Sequence, residues 1–171
     1  MDTSTSSPAQ PAPPPAPIAK TAKLADDKWG AAVLKLGYSI IPSLLLRAQQ
    51  RLGLNPTQLA VLLQLCDFWW SEDRKPYPSK ERLSERLGLK DRQIQRYLAE
   101  LEAAGLVKRI PRYDAKGGQT SNFYDLSGLV QKLQALEPEF AAVDKENRER
   151  SRSVAMPLGR RRNTVSLPVV N

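Results

Sequence analysis

The chain has 171 residues, a formal net charge of +8 and no His, which removes the commonest general base and metal ligand at neutral pH. Its one cysteine, Cys66, can neither close an internal disulfide nor build a zinc site, so a reducing, cytoplasmic home is expected. Catalytic residues, metal ligands and cofactors are not expected from this composition.

Residues 1–28 are rich in Pro, Ala and Ser ("MDTSTSSPAQPAPPPAPIAK") and are expected to form a disordered, extended N-terminal tether. The stretch lacks the basic start and apolar centre of a secretory signal. No apolar run reaches the ~18 residues needed to cross a bilayer, and no membrane partner is expected.

Periodic apolar patterns run through residues 37–136. "GYSIIPSLLLRAQQRLGL" opens with a β-prone run, Tyr38 to Ile41, stopped by Pro42, after which Ser43 can cap a helix. "NPTQLAVLLQLCDFWW" starts with a strong signal: Asn55 as cap, Pro56 at the first helical position and Gln58 as capping-box partner. Leu59, Leu62, Leu63, Cys66 and Trp69 follow at helical spacing, predicting a buried helix to about Trp70 with Cys66 as a small core residue. "SEDRKPYPS" is a loop. Ser79 then caps the short helix "KERLSERL", with Leu83 and Leu87 inward, and Gly88 ends it. A second helix shows Ile94, Tyr97, Leu98 and Leu101 on one face and ends at Gly105. "LVKRIPRY" and "SNFYDL" read as strands joined through Gly117 and Gly118, with Pro111 confining the first to an edge. A last helix is expected over about Leu126 to Leu136. Residues 137–171 ("DKENRERSRS", "GRRRNTVSLPVVN") are expected to fray into a basic, mostly disordered C-terminal tail.

Two short helices joined by a tight Gly-containing turn form a helix-turn-helix unit, and a hairpin behind it makes the fold class a mainly α winged helix-turn-helix flanked by disordered tails. The charge agrees with this placement. Residues 74–116 hold 12 Lys or Arg and 6 Asp or Glu, so the basic excess sits around the second helix and the hairpin.

The second helix of such a unit enters the DNA major groove with its N-terminal half. Lys90, Arg92, Gln93, Gln95 and Arg96 lie on the outward face there. Arg and Lys suit guanine or phosphate, and Gln suits adenine. From Glu100 onward that face turns acidic, so the distal half is expected to point away from phosphates. Lys108, Arg109, Arg112 and Lys116 flank the hairpin turn and suit the minor groove or the backbone. Ser79 and Lys80 stand where a helix start meets a phosphate. Read blandly, Arg86 and Arg92 would pair with Glu85 and Asp91 on a solvated face. Trp69, Trp70, Tyr97, Phe123 and Tyr124 are expected to serve the core.

"PYPSKERLSERLGLKDRQIQRYLAELEAAGLVKR" and the following "GGQTSNFYDL" resemble the bacterial winged helix-turn-helix domains of plasmid, phage and mobile-element proteins. The resemblance rests on Pro78-Ser79, Leu87-Gly88, Gln95-Arg96, Leu101-Glu102, Gly105-Leu106 and Ser121-Asn122-Phe123-Tyr124, and it covers about residues 40–130. Where that family has Ser or Thr capping the recognition helix, this chain has Lys90, and Asp91 is the expected replacement. The resemblance implies double-stranded DNA as partner. It fits a transcriptional regulator and, as alternative, a replication-initiation or partition protein binding origin repeats. A winged helix that binds only protein is the rival reading, opposed by the basic 74–116 segment. The helix after Leu126 is the expected contact of a homodimer, and the tails the expected contact of a protein partner. A DNA-bound protein of this kind is expected to sit on the nucleoid.

Overall fold

The computed structural model describes residues 24–71 and 73–155. The Pro-rich stretch and the last basic cluster, Arg160 to Arg162, lie outside the described residues. No helix among the described residues is long and apolar enough to cross a membrane. The chain divides into two units, Met1–Ser39 and Ile40–Asn171.

In the first unit residues 24–29 are helical, Gly30 turns the chain at φ +83°, and α1 (Ala31–Leu34) follows. Helix therefore replaces the extended backbone expected up to residue 28, in the part where prolines have given way to Leu24, Ala25 and a capping-prone Asp pair. Trp29, Val33, Leu36 and Tyr38 are exposed. The β-prone run from Tyr38 gains no partner strand and stays irregular.

The second unit is built on α2 (Ser43–Arg47), α3 (Pro56–Asp67), α4 (Lys80–Leu87), α5 (Asp91–Ala103), β1 (Lys108–Ile110), β2 (Phe123–Asp125) and α6 (Ser127–Ala155). Ser43 is the first residue of α2 rather than its cap, which is Pro42. At α3 the capping box forms as its residues demand: Asn55 Oδ1 accepts from Gln58 N at 2.8 Å, and Gln58 Oε1 accepts from Asn55 N at 2.9 Å. The helix stops at Asp67, and its fully buried residues are Val61, Leu62 and Leu65, with Leu59, Leu63 and Cys66 at the margin. Burial pushes the Cys66 thiol up to about 11, so it stays protonated and inert.

The core joins Leu45 of α2, the three α3 residues, Leu83 of α4 and Ile94, Leu98 and Leu101 of α5 to Leu106, Tyr124 and Leu129. Tyr124 is the only one of the five expected core aromatics to be buried; Trp70 is 72% exposed. The strands pair antiparallel with Arg109 opposite Tyr124, and Pro111, lacking an N–H, follows the last paired residue of β1.

Helix α6 differs most from expectation. It runs to Ala155 rather than ending near Leu136. Leu129 and Leu133 dock its first turns, with Leu136 and Phe140 packed against the core beyond them. Farther along, Arg47 grips Asp144 with two hydrogen bonds, 2.9 and 2.6 Å, and stacks over Phe140, while Arg51 pairs with Glu139 at 2.8 Å. These long-range partners carry the helix through Pro138, where one backbone hydrogen bond is lost. Its start is fixed by close approach. A Cβ on Gly128 would meet the Gly105 carbonyl oxygen at 2.2 Å, and Leu129 N donates to Leu106 O at 3.1 Å.

Candidate nucleic-acid interface

Ser79 caps α4 by accepting from Arg82 N at 3.2 Å. Gly88 takes φ +64° and closes the helix in a left-handed turn. The Ser84 hydroxyl donates to the Leu89 carbonyl, and Leu89 N donates back to Ser84 O at 3.1 Å. This double lock spans the helix-turn-helix turn and sets where α5 begins. Lys90 is the N-cap residue, so the expected replacement by Asp91 does not occur. A lysine side chain has no acceptor; instead Gln93 Oε1 reaches back to Lys90 N at 3.0 Å.

Along α5, Ile94, Leu98 and Leu101 are buried and Tyr97 is half-buried, as the spacing predicts. Lys90, Arg92 and Gln95 are exposed, and none of their side chains has a hydrogen bond or ion pair among the described residues. Gln93 is half-buried and uses its carbonyl oxygen at the helix start, which leaves only its NH2 for a partner. Arg96 faces outward but lies over the Tyr97 ring and 3.6 Å from Glu100. Glu100 also accepts from Gln58 of α3 at 2.8 Å, so the acidic half of the helix serves packing.

Most of the other arginines are tied down. Arg86 pairs with Asp67 at 2.6 Å, donates to Gln64 and stacks on Phe68, rather than pairing with Glu85. Arg82 also lies over Phe68. Arg109 grips Glu102, whose carboxylate accepts from both Arg109 N at 2.9 Å and Arg109 Nε at 2.7 Å. Those bonds hold the Glu102 carboxyl below its usual range, the backbone N–H first.

In the wing, Arg112 is half-buried. It stacks over Tyr77 at 4.7 Å and Phe123 at 5.6 Å and donates to Ser121 Oγ at 3.2 Å. Ser121 in turn donates to Tyr77 O, and Tyr124 N donates to Pro76 O at 2.8 Å. The hairpin is thereby stitched to the loop before α4. Its tip is ordered by Asp114, which accepts from Lys116 N and Gly118 N at 2.9 and 2.8 Å, with Gly117 at φ +80°. The side chains of Lys116 and Lys108 are exposed and make no hydrogen bond or ion pair among the described residues. Lys80 lines a cleft of about 430 Å³ between the start of α4 and the wing, beside Ser79, Gln119 and Asn122. Glu81 lines the same cleft and offsets part of its positive charge.

The eleven expected contact residues thus separate. The side chains of Lys80, Lys90, Arg92, Gln95, Lys108 and Lys116 are available. Ser79 and Gln93 serve as caps, and Arg96, Arg109 and Arg112 are held by neighbouring side chains. Gln119 and Asn122 line the cleft beside Lys80 without having been expected as contacts; Asn122 stands in the Ser121-Asn122-Phe123-Tyr124 pattern, and Gln119 has no signal beyond a polar run in the wing.

A family model described as a helix-turn-helix domain matches residues 52–107. No curated protein matches the chain. Among solved structures, the N-terminal domain of DnaD protein from Geobacillus kaustophilus HTA426 is similar, with 25% identity, a TM-score of 0.50, and coverage of 70% of this chain and 96% of that one. A possible transcriptional regulator from Methanosarcina mazei Go1 aligns at 21% identity and TM-score 0.39, over 59% of this chain and 82% of that one. A MarR/EmrR family transcriptional regulator from Acinetobacter sp. ADP1 aligns at 15% and 0.36, over 76% and 80%. Residues 52–107 thus carry a helix-turn-helix domain, and with the two-stranded wing and the closing helix behind it the second unit has a winged helix-turn-helix fold.

Proposed function

We propose that the protein binds double-stranded DNA sequence-specifically, without catalysis, and acts as a transcriptional regulator. The observation that carries this reading is the set of long donors, Lys90, Arg92 and Gln95, standing without partners at the N-terminal half of α5. That half-helix is what a helix-turn-helix domain presents to base edges in the major groove. Lys116 and Lys108 on the wing and Lys80 at the start of α4 supply phosphate contacts on either side. A homodimer on a palindrome is the proposed arrangement, with half-sites about 10 base pairs apart. Binding of origin repeats by a replication or partition protein is the second reading. It is supported by the 25% identity and TM-score of 0.50 to the N-terminal domain of a DnaD protein.

Selection of genomic fragments by the full chain, followed by titration on the recovered duplex across a salt series, tests the proposal. Five cations on phosphates give a log–log slope of roughly −4 to −5. Palindromes near promoters support a regulator, and tandem repeats support the second reading. Absence of binding at low salt overturns both and favours a protein-binding winged helix.

A further inference from the structure

A cleft of about 680 Å³ opens where the chain leaves α3 and meets β2 and the start of α6. Its walls include Trp69, Trp70, Pro76 and Val130, and its rim carries Lys75 and Asp125. The DNA-facing tip of α5 contributes no residue to it.

Three observations define what fits there. First, the aromatic wall is left open by the fold: Trp70 is 72% exposed and Trp69 is half-buried. Second, neither indole N–H has a hydrogen-bond partner among the described residues, so the wall offers two donors. Third, among the described residues the charge on the rim is already matched. Lys75 Nζ lies 3.0 Å from Asp125 Oδ2, and Asp125 Oδ1 accepts from Ser127 N at 2.9 Å. The cleft therefore asks for an uncharged ligand with flat apolar surface and acceptors in excess of donors.

A proline-rich segment has that chemistry. Each proline removes a backbone N–H and keeps its carbonyl, and the polyproline II helix leaves those carbonyls unbonded and outward. Pyrrolidine rings pack on aromatic walls, and the pre-set φ reduces the entropy lost on binding. We propose that this cleft is a receptor site for an uncharged proline-rich segment of a partner. Residues 8–17 of this chain, "PAQPAPPPAP", have the required composition and set the probe. The proposal is independent of the DNA reading.

The test uses the full chain with Pro13, Pro14 and Pro15 each changed to Ala, so that its own segment does not compete. A peptide of residues 6–19 is titrated while the indole N–H resonances of the three tryptophans are followed by NMR. The Trp69 and Trp70 resonances should shift together and saturate, with that of Trp29 fixed. Trp70→Ala, at an exposed position that leaves folding intact, should weaken binding about tenfold or more, as loss of a central aromatic anchor does. A peptide with the same three prolines changed to Ala should lose affinity against the unaltered cleft. Unmoved Trp69 and Trp70 resonances up to about millimolar peptide, the weakest affinity worth calling binding, overturn the proposal. So does equal affinity for the two peptides.

Discussion

The two ends of α5 are both rich in long polar side chains, yet they serve opposite purposes. At the C-terminal end every such group is held. Glu100 takes Gln58 and Arg96, Glu102 takes Arg109, and beyond them the Gly105 carbonyl lies against Gly128. At the N-terminal end Lys90, Arg92 and Gln95 reach into solvent with nothing to hold them. A buried or half-buried polar group needs a partner or it destabilises the fold, whereas an exposed one is kept solvated at little cost. The difference therefore separates groups that hold the helix in place from groups that the proposed DNA binding would use. Changes at the held end should cost stability, and changes at the free end should cost only binding.

The largest effect is expected where backbone meets backbone. Gly128→Ala forces a methyl to 2.2 Å from the Gly105 carbonyl oxygen, which cannot retreat without dragging the turn after α5. Such overpacking should destabilise the domain by about 3 kcal/mol, read as a lowered denaturant midpoint. An unchanged midpoint would mean that α6 does not seat against that turn.

Asp125 comes next. The Ser127 N–H first, then Lys75, lower its pKa to about 2 from the usual 3.8. A depressed carboxylate stabilises the folded state above its unfolded pKa and loses that contribution as pH falls through the folded value. About 2 kcal/mol should thus be present above pH 4 and disappear between pH ~4 and ~2. Asp125→Asn should flatten stability over that window while leaving the start of α6 capped. If wild type and Asp125→Asn follow parallel stability curves between pH 2 and 4, the Lys75 and Ser127 bonds do not hold in solution.

Arg109→Ala removes the side-chain half of the Glu102 brace but leaves the backbone N–H bond. Both side chains are about one-third exposed, so a loss of only about 1 kcal/mol is expected. DNA affinity of the folded fraction should not change. A selective loss of DNA binding would place Arg109 on the wrong side of the comparison.

How much of this was legible in the sequence depended on distance along the chain. The start of α3 and both ends of α4 were legible because their causes are local: Asn55 with Gln58, Ser79 with Arg82 N, and Gly88 in its left-handed turn. The buried stripe of α5 was legible because helical period alone fixes it. Which cations are free was not. Arg86 finds its carboxylate 19 residues back, and Arg47 finds one 97 residues ahead. The same long-range grip extends α6 past Leu136, where local composition pointed to fraying. Cys66 and Tyr124 followed the apolar pattern inward. Trp70, one residue past a well-formed face, lies outside α3 and is exposed.

In the proposed function the free tip of α5 reads bases while the tied arginines hold the domain. Paired titrations of the selected duplex and a random duplex on Arg92→Ala, Gln95→Ala and Arg86→Ala, each with its melting temperature, test it directly. Arg92→Ala and Gln95→Ala should lose about 1–3 kcal/mol on the selected site and much less on random DNA. Their stability should move by less than about 0.5 kcal/mol. Arg86→Ala should lower the melting temperature and leave the ratio of the two affinities alone. Unchanged affinities for Arg92→Ala and Gln95→Ala, or a collapsed ratio for Arg86→Ala, would contradict the account.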